Sequence, residues 1–187
     1  MKPFSAHDIG ITNVTLSKTI IAQGFTLHID LKILNYGIEN EAFTITVYAN
    51  TTIISIQSIA VTSRNTTIIT FVWNTTGFSK GNYTIKAIAD TVASELDTTD
   101  NTLVDGWILI TMVGDFGSAG GFFACDGSVD GFDLALFIQC YNDLAPQNAM
   151  YLGDLGSAGG FFACDGKVDG FDLALFIQGY NELGSPD

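Results

Sequence analysis

The chain has 187 residues, seven basic and 20 acidic side chains, and a formal net charge of −13. So acidic a chain argues against nucleic acid or an anionic membrane surface as its main partner. Its length suits one large domain or two small ones, and no apolar run of about 18 residues, the length of a membrane-spanning helix, occurs anywhere. The opening Met1-Lys2-Pro3-Phe4-Ser5-Ala6 lacks the apolar stretch of an export signal, so an exported protein would be present here in mature or trimmed form.

Residues 1–112 read as strands. Phe25 to Ile33 alternates apolar and polar side chains without a break, and Phe43, Ile45 and Val47 alternate with Thr44, Thr46 and Tyr48. Further strands are expected at Ile9–Leu16, Ile53–Val61, Thr67–Trp73, Tyr83–Asp90 and Val104–Thr111, divided by Gly- and Asn-rich turns. Seven short strands in about a hundred residues predict an all-β immunoglobulin-like sandwich. No cysteine precedes Cys125, so its core must hold by apolar burial alone. Five N-x-[ST] sequons, at Asn13, Asn50, Asn65, Asn74 and Asn82, fall in this half and point to a glycosylated protein outside the cell.

Several strings in this region resemble CARDB, an adhesion-type sandwich family of archaea and bacteria. They are Asp8-Ile9-Gly10-Ile11-Thr12-Asn13-Val14, Asn35-Tyr36-Gly37, Trp73-Asn74-Thr75-Thr76-Gly77, Gly81-Asn82-Tyr83-Thr84-Ile85 and Asp100-Asn101-Thr102. The resemblance covers roughly residues 7–112 and implies a non-catalytic spacer or adhesion fold at a cell surface.

Residues 113–187 are different in kind. One lysine, Lys167, faces eleven acids, whereas residues 1–112 carry six basic and nine acidic side chains. The segment from Gly114 to Asn142 recurs at Gly153 to Asn181 with three differences, Phe116/Leu155, Ser128/Lys167 and Cys140/Gly179. Each copy ends in D-G-x-V-D-G-F-D-L, the carboxylate spacing of a calcium loop running into a helix. In copy one Asp126 is the fifth loop position, Gly127 the sharp turn and Ser128 a backbone carbonyl ligand. Val129 then points into the core, Asp130 is the ninth position, and Asp133 closes the loop. Copy two repeats the set with Asp165, Lys167 (through its carbonyl), Asp169 and Asp172. The first ligand is taken as Asp115 or Asp154, with Gly117–Phe123 and Gly156–Phe162 looping out as insertions. Two calcium ions are therefore expected.

This duplicated segment resembles the dockerin module, from Val113 to about Leu183. The resemblance implies two EF-hand-like loop–helix units packed antiparallel in a small α-helical domain, and binding to a cohesin-type partner. In such a pair the end of helix one approaches the loop of copy two, so Cys140–Cys164 is the expected disulfide, with Cys125–Cys164 as the alternative.

The helices are apolar nearly all round. Leu134, Phe137, Ile138 and Tyr141 make one face and Phe132, Leu136 and Cys140 another, of which a small two-helix module buries one and leaves the other wet. Phe122, Phe123, Phe132, Leu136, Phe161, Phe162, Phe171 and Leu175 are the expected interface. His7 and His28 stand apart, and no G-x-S-x-G, H-E-x-x-H or phosphate loop occurs. The reading is a non-enzymatic extracellular protein with domains at 1–112 and 113–187. Thr111-Met112-Val113-Gly114 leaves almost no tether between them, which suits a self-assembling subunit of a surface filament or lattice; a module docking to a separate cohesin-type protein is the alternative.

Overall fold

Alternation becomes burial in the computed structural model, which describes residues 5–158, 160–161 and 164–183. Along β3 (Thr26–Asn35) Leu27, Ile29, Leu31 and Ile33 are fully buried while Thr26, His28 and Lys32 face solvent. β1 (Ile9–Leu16) and β6 (Thr66–Asn74) flank β3 antiparallel, forming a three-stranded sheet. The second sheet has the order β2 (Ile20–Ala22), β8 (Thr102–Thr111), β7 (Gly81–Ala89), β4 (Glu41–Ala49) and β5 (Thr52–Val61). Ile45, Val47, Ile85 and Ala87 bury from this sheet, and Phe71 and Trp73 from the other. The two inner faces thus make an apolar core of the kind a sandwich requires.

The seven expected strands are all present. β2 was not expected: three residues ended by Gln23-Gly24 are too short to show a period, and partners distant in sequence select it. Gln23 N donates to Thr111 O at 2.9 Å and Leu109 N to Thr19 O at 2.8 Å. His7 is not isolated as expected, because its Nδ1 lies 2.6 Å from Glu41 Oε1. His28 is exposed, as its strand position predicts.

The chain forms two compact units, one made of 1–19, 26–74 and 82–109, the other of 20–25, 75–81 and 110–187. The expected single boundary at 112/113 lies close to the last crossing, but two earlier segments join the second unit. Hydrogen bonds explain their place there: Thr75 Oγ1 donates towards Ala22 O and Phe25 O at 3.1 and 2.9 Å, and Tyr151 Oη to Ile20 O at 3.1 Å.

Within the second unit each copy of the repeat is a small hairpin followed by a helix. β9 (Gly117–Ser118) pairs with β10 (Gly121–Phe122) and leads to α1 (Gly131–Tyr141). β11 (Gly156–Ser157) pairs with β12 (Gly160–Phe161) and leads to α2 (Gly170–Leu183). The equivalent rings Phe137 and Phe176 stack at 4.9 Å, and Phe116 stacks on both at 6.0 and 5.5 Å. The start of each copy lies against the other copy's helix. A Cβ at Gly114 would stand 3.5 Å from Phe176, and one at Gly153 only 2.7 Å from Cys140 Cβ. Among the described residues no helix is long and apolar enough to cross a membrane.

Candidate functional site

The glycine-rich insertion does not separate Asp115 from the rest of its loop. It folds back as the β9–β10 hairpin, with Phe123 N donating to Phe116 O at 2.9 Å, and so returns the chain to Asp115. Gly127, at φ +87°, then turns in the left-handed region and donates its N–H to Asp115 Oδ2 at 3.0 Å. Gly166, at φ +82°, does the same to Asp154 Oδ2 at 2.8 Å, and Asp165 N reaches Asp154 Oδ1 at 3.2 Å. The first and fifth-to-sixth positions of both loops are therefore together despite the eleven-residue gap in sequence.

The last loop position closes the unit from the other side. Asp133 is fully buried; its Oδ1 accepts from Phe116 N and Gly117 N at 2.8 and 3.1 Å, and its Oδ2 from Asp130 N at 2.8 Å. Asp172 repeats this with Leu155 N, Gly156 N and Asp169 N at 2.8, 3.0 and 2.8 Å. Asp130 caps α1 by accepting from Phe132 N at 2.8 Å, which with Asp133 completes a reciprocal capping box. Asp169 accepts from Phe171 N at 2.9 Å in the same way. Asp126 and Asp165 are exposed and accept from Ser128 N and Lys167 N, each at 3.0 Å. Val129 is buried below the loop.

These carboxylates sense one another. Burial pushes Asp133 above the ordinary carboxylate value of 3.8; three backbone donors oppose it, and the Asp115 charge adds to the rise. Asp154 is likewise raised by burial, against two backbone donors, with the Asp172 and Asp165 charges adding. Asp115 is 1% exposed, and its Oδ1 is buried with no hydrogen-bond partner. Its Oδ2, by contrast, takes Gly127 N and the Thr111 hydroxyl. As they stand, no three His, Cys, Asp or Glu side chains among the described residues converge into a metal cage. The feature that fits a hard cation is narrower: a bare buried carboxylate oxygen in a loop of like charges, where backbone carbonyls and water could complete the shell.

On α1 the expected interface residue Leu136 is buried instead. Asp133, Leu136, Phe137 and Cys140 are the buried residues of α1, and Phe132, Ala135, Ile138 and Tyr141 are exposed. Leu136 and Cys140 therefore belong to the core, while Ile138 and Tyr141 face out. The reason is Asp133. Its three N–H donors hold it inward, and positions three, four and seven residues later follow it onto the same face. α2 repeats the outward stripe at Phe171, Ala174, Ile177 and Tyr180. Phe132 and Phe171 are 52% and 54% exposed, Ile138 and Ile177 47% and 48%. Of the other expected interface residues, Phe122, Phe123 and Leu175 are half-buried, and the Phe123 ring lies 6.5 Å from Tyr151. The side chain of Phe161 and the whole of Phe162 lie outside the described residues.

The expected Cys140–Cys164 bridge is not formed, nor is the Cys125–Cys164 alternative; all three residues are thiols. Cys140 does sit beside the start of copy two, but it packs on Gly153 and directs its Sγ to Ala149 O at 3.8 Å. Cys125 and Cys164 point instead at the carbonyls of their own loops, Asp115 O at 3.2 Å and Asp154 O at 3.0 Å. Burial, with the Asp115 charge second, pushes Cys125 up to about 12, and burial pushes Cys140 to about 11. The sequon residues Asn13, Asn50, Asn65, Asn74 and Asn82 are all exposed. Thr111 was missed in the sequence because it lies at the end of β8, outside the duplicated segment.

No family model matches this chain, and no curated protein matches it. Solved structures do. The CARDB domain of a Pyrococcus furiosus protein, crystallised in complex with di-metal ions, is 18% identical with a TM-score of 0.51; the match covers 59% of this chain and 99% of that domain. A solution NMR structure of the same domain is 18% identical, with TM-score 0.45 over 57% of this chain and 95% of that one. A β-glucosidase from Erythrobacter marinus is 11% identical, with TM-score 0.45 over 56% of this chain and 16% of the enzyme. The first of these shows that the sandwich shares the immunoglobulin-like fold of that domain.

Proposed function

We propose that this is a non-enzymatic extracellular assembly protein, a subunit of a cell-surface filament or lattice whose protein–protein contacts are stabilised by two calcium ions. The observation that carries the reading is the apolar stripe set out to solvent twice, at equivalent positions of α1 and α2. Three large apolar side chains per helix, exposed in register, favour a protein partner over solvent. Asp115, Asp126, Asp130 and Asp133, with the Ser128 carbonyl, would hold one ion; Asp154, Asp165, Asp169 and Asp172, with the Lys167 carbonyl, would hold the other. Bound calcium supplies positive charge to loops whose carboxylates otherwise repel. The chain's residues do the rest: Asp133 and Asp172 tie each loop to its helix, and the helices present the stripes. Exposure of all five sequon asparagines supports a glycosylated, extracellular location.

The test is light scattering with electron microscopy in millimolar calcium and again after chelation. Ordered assemblies that dissolve on chelation support the reading, and Ile138→Asp with Ile177→Asp should abolish them without unfolding the subunit. A calcium-loaded monomer in every condition overturns self-assembly and leaves docking of the same stripes to a separate cohesin-type protein.

A further inference from the structure

Although the copies are nearly identical in sequence, their first ligands are housed differently. Asp115 is 1% exposed, whereas Asp154 is half-buried. Both oxygens of Asp154 accept loop N–H groups, from Asp165 and Gly166. In copy one both donors, the Thr111 hydroxyl and Gly127 N, fall on Oδ2, leaving the buried Oδ1 without a partner among the described residues. Thr111 is responsible for the difference. The position equivalent to it in copy two is Met150, which has no hydroxyl to give. Held by two donors on one oxygen, the Asp115 carboxylate is fixed in orientation and keeps the other oxygen bare.

A second difference acts in the same direction. Loop one places Ser128 where loop two places Lys167, so the same four carboxylates are accompanied by no cationic residue in the first loop and by one in the second. Ligand charge and site rigidity are what tune calcium affinity in loops of this kind. Copy one has the greater net negative charge, the more rigid first ligand and the unsatisfied buried oxygen, and each of these gains more from a cation.

We infer that the two loops are unequal: the first binds calcium tightly, the second weakly, and calcium fills them in that order. Thr111 is the positioning residue of the tight site. The inference rests on the calcium reading above.

Isothermal calorimetry of calcium into the full chelator-stripped chain tests it, with terbium luminescence as a second readout. Two classes of site separated by about tenfold or more are expected. Asp115→Asn should remove the tight class and Asp154→Asn the weak one. Because Asp115→Asn could disturb folding, Lys167→Ser on the exposed loop gives an independent check and should tighten the weak class. Thr111→Val should weaken the tight class, and Thr111→Ser should restore it. Two equal classes, or a tight class that survives Asp115→Asn and disappears with Asp154→Asn, overturn the inference while leaving calcium binding intact. No binding by either loop overturns the calcium reading and the inference with it.

Discussion

Along β3 the residues with no exposure at all are Leu27, Ile29, Leu31 and Ile33, whereas at the start of α1 the residue with none is a carboxylate, Asp133. The sandwich is held mainly by apolar side chains that need only to leave water, with Asp8 and Glu41 as its buried carboxylates. The repeats are held partly by the Phe116–Phe137–Phe176 stack and partly by Asp133 and Asp172, each satisfying three backbone N–H groups 17 residues or fewer away. Apolar burial is indifferent to pH and to divalent ions; buried carboxylates are not. One chain thus carries a part that should hold its stability across solution conditions and a part that should respond to them.

The strongest way to break this comparison is Asp133→Ala. It orphans three backbone donors at roughly 1–3 kcal/mol each, enough to unravel α1 in a segment so small. Hydrogen exchange should show protection lost over Gly131–Tyr141 and retained in β3 and β6; equal loss in both would mean the two parts are not energetically distinct. Trp73→Ala is the converse. With Trp73 2% exposed, truncation should cost about 3–5 kcal/mol in the sandwich, read as a lower denaturant midpoint for its strands.

Acidity should separate the parts more gently. The folded-state values of Asp133 and Asp154 are raised above 3.8. The folded repeats therefore take up protons more readily than the unfolded chain. That contribution to stability is fully present below pH 3.8 and lost as pH rises through the raised folded values. In the absence of calcium the melting temperature of the repeats should rise on acidification from neutrality, and that of the sandwich, whose core is mainly apolar, should change less. Saturating calcium should reverse the trend, because protons then compete with the ion for the same oxygens. The smallest effect is chemical. A thiol reagent at neutral pH should modify exposed Cys164 promptly, and Cys125 and Cys140 only after unfolding, given values of about 12 and 11. A native protein with one reactive thiol and three after denaturation checks that no bridge is present.

The strands of the sandwich were legible because their signal is local: a two-residue alternation says where a strand lies and which side chains it buries. The duplicated loops were legible for a similar reason, since D-G-x-V-D-G-F-D-L spells out turn, cap and helix start in nine consecutive residues. Asp115 was expected in the loop by reading the glycine-rich segment as an insertion, but the β9–β10 hairpin that returns the chain beside Gly127 is a tertiary feature.

What sequence alone did not decide were the features set by partners far along the chain. β2 exists because Thr111 and Leu109 reach it, and His7 is engaged because Glu41 stands opposite. Hydrophobicity put Leu136 with Phe132 on the expected interface, since apolar pattern alone does not say which way Asp133 turns the helix. Backbone donors at Phe116 and Gly117 draw that carboxylate inward and turn the helix with it. The cysteines follow from the same packing: Cys140 is pressed against Gly153, and the other two thiols face their own loops. Spacing determines which residues can share a turn or a face. Which face is buried depends on donors and contacts that only the folded chain assembles.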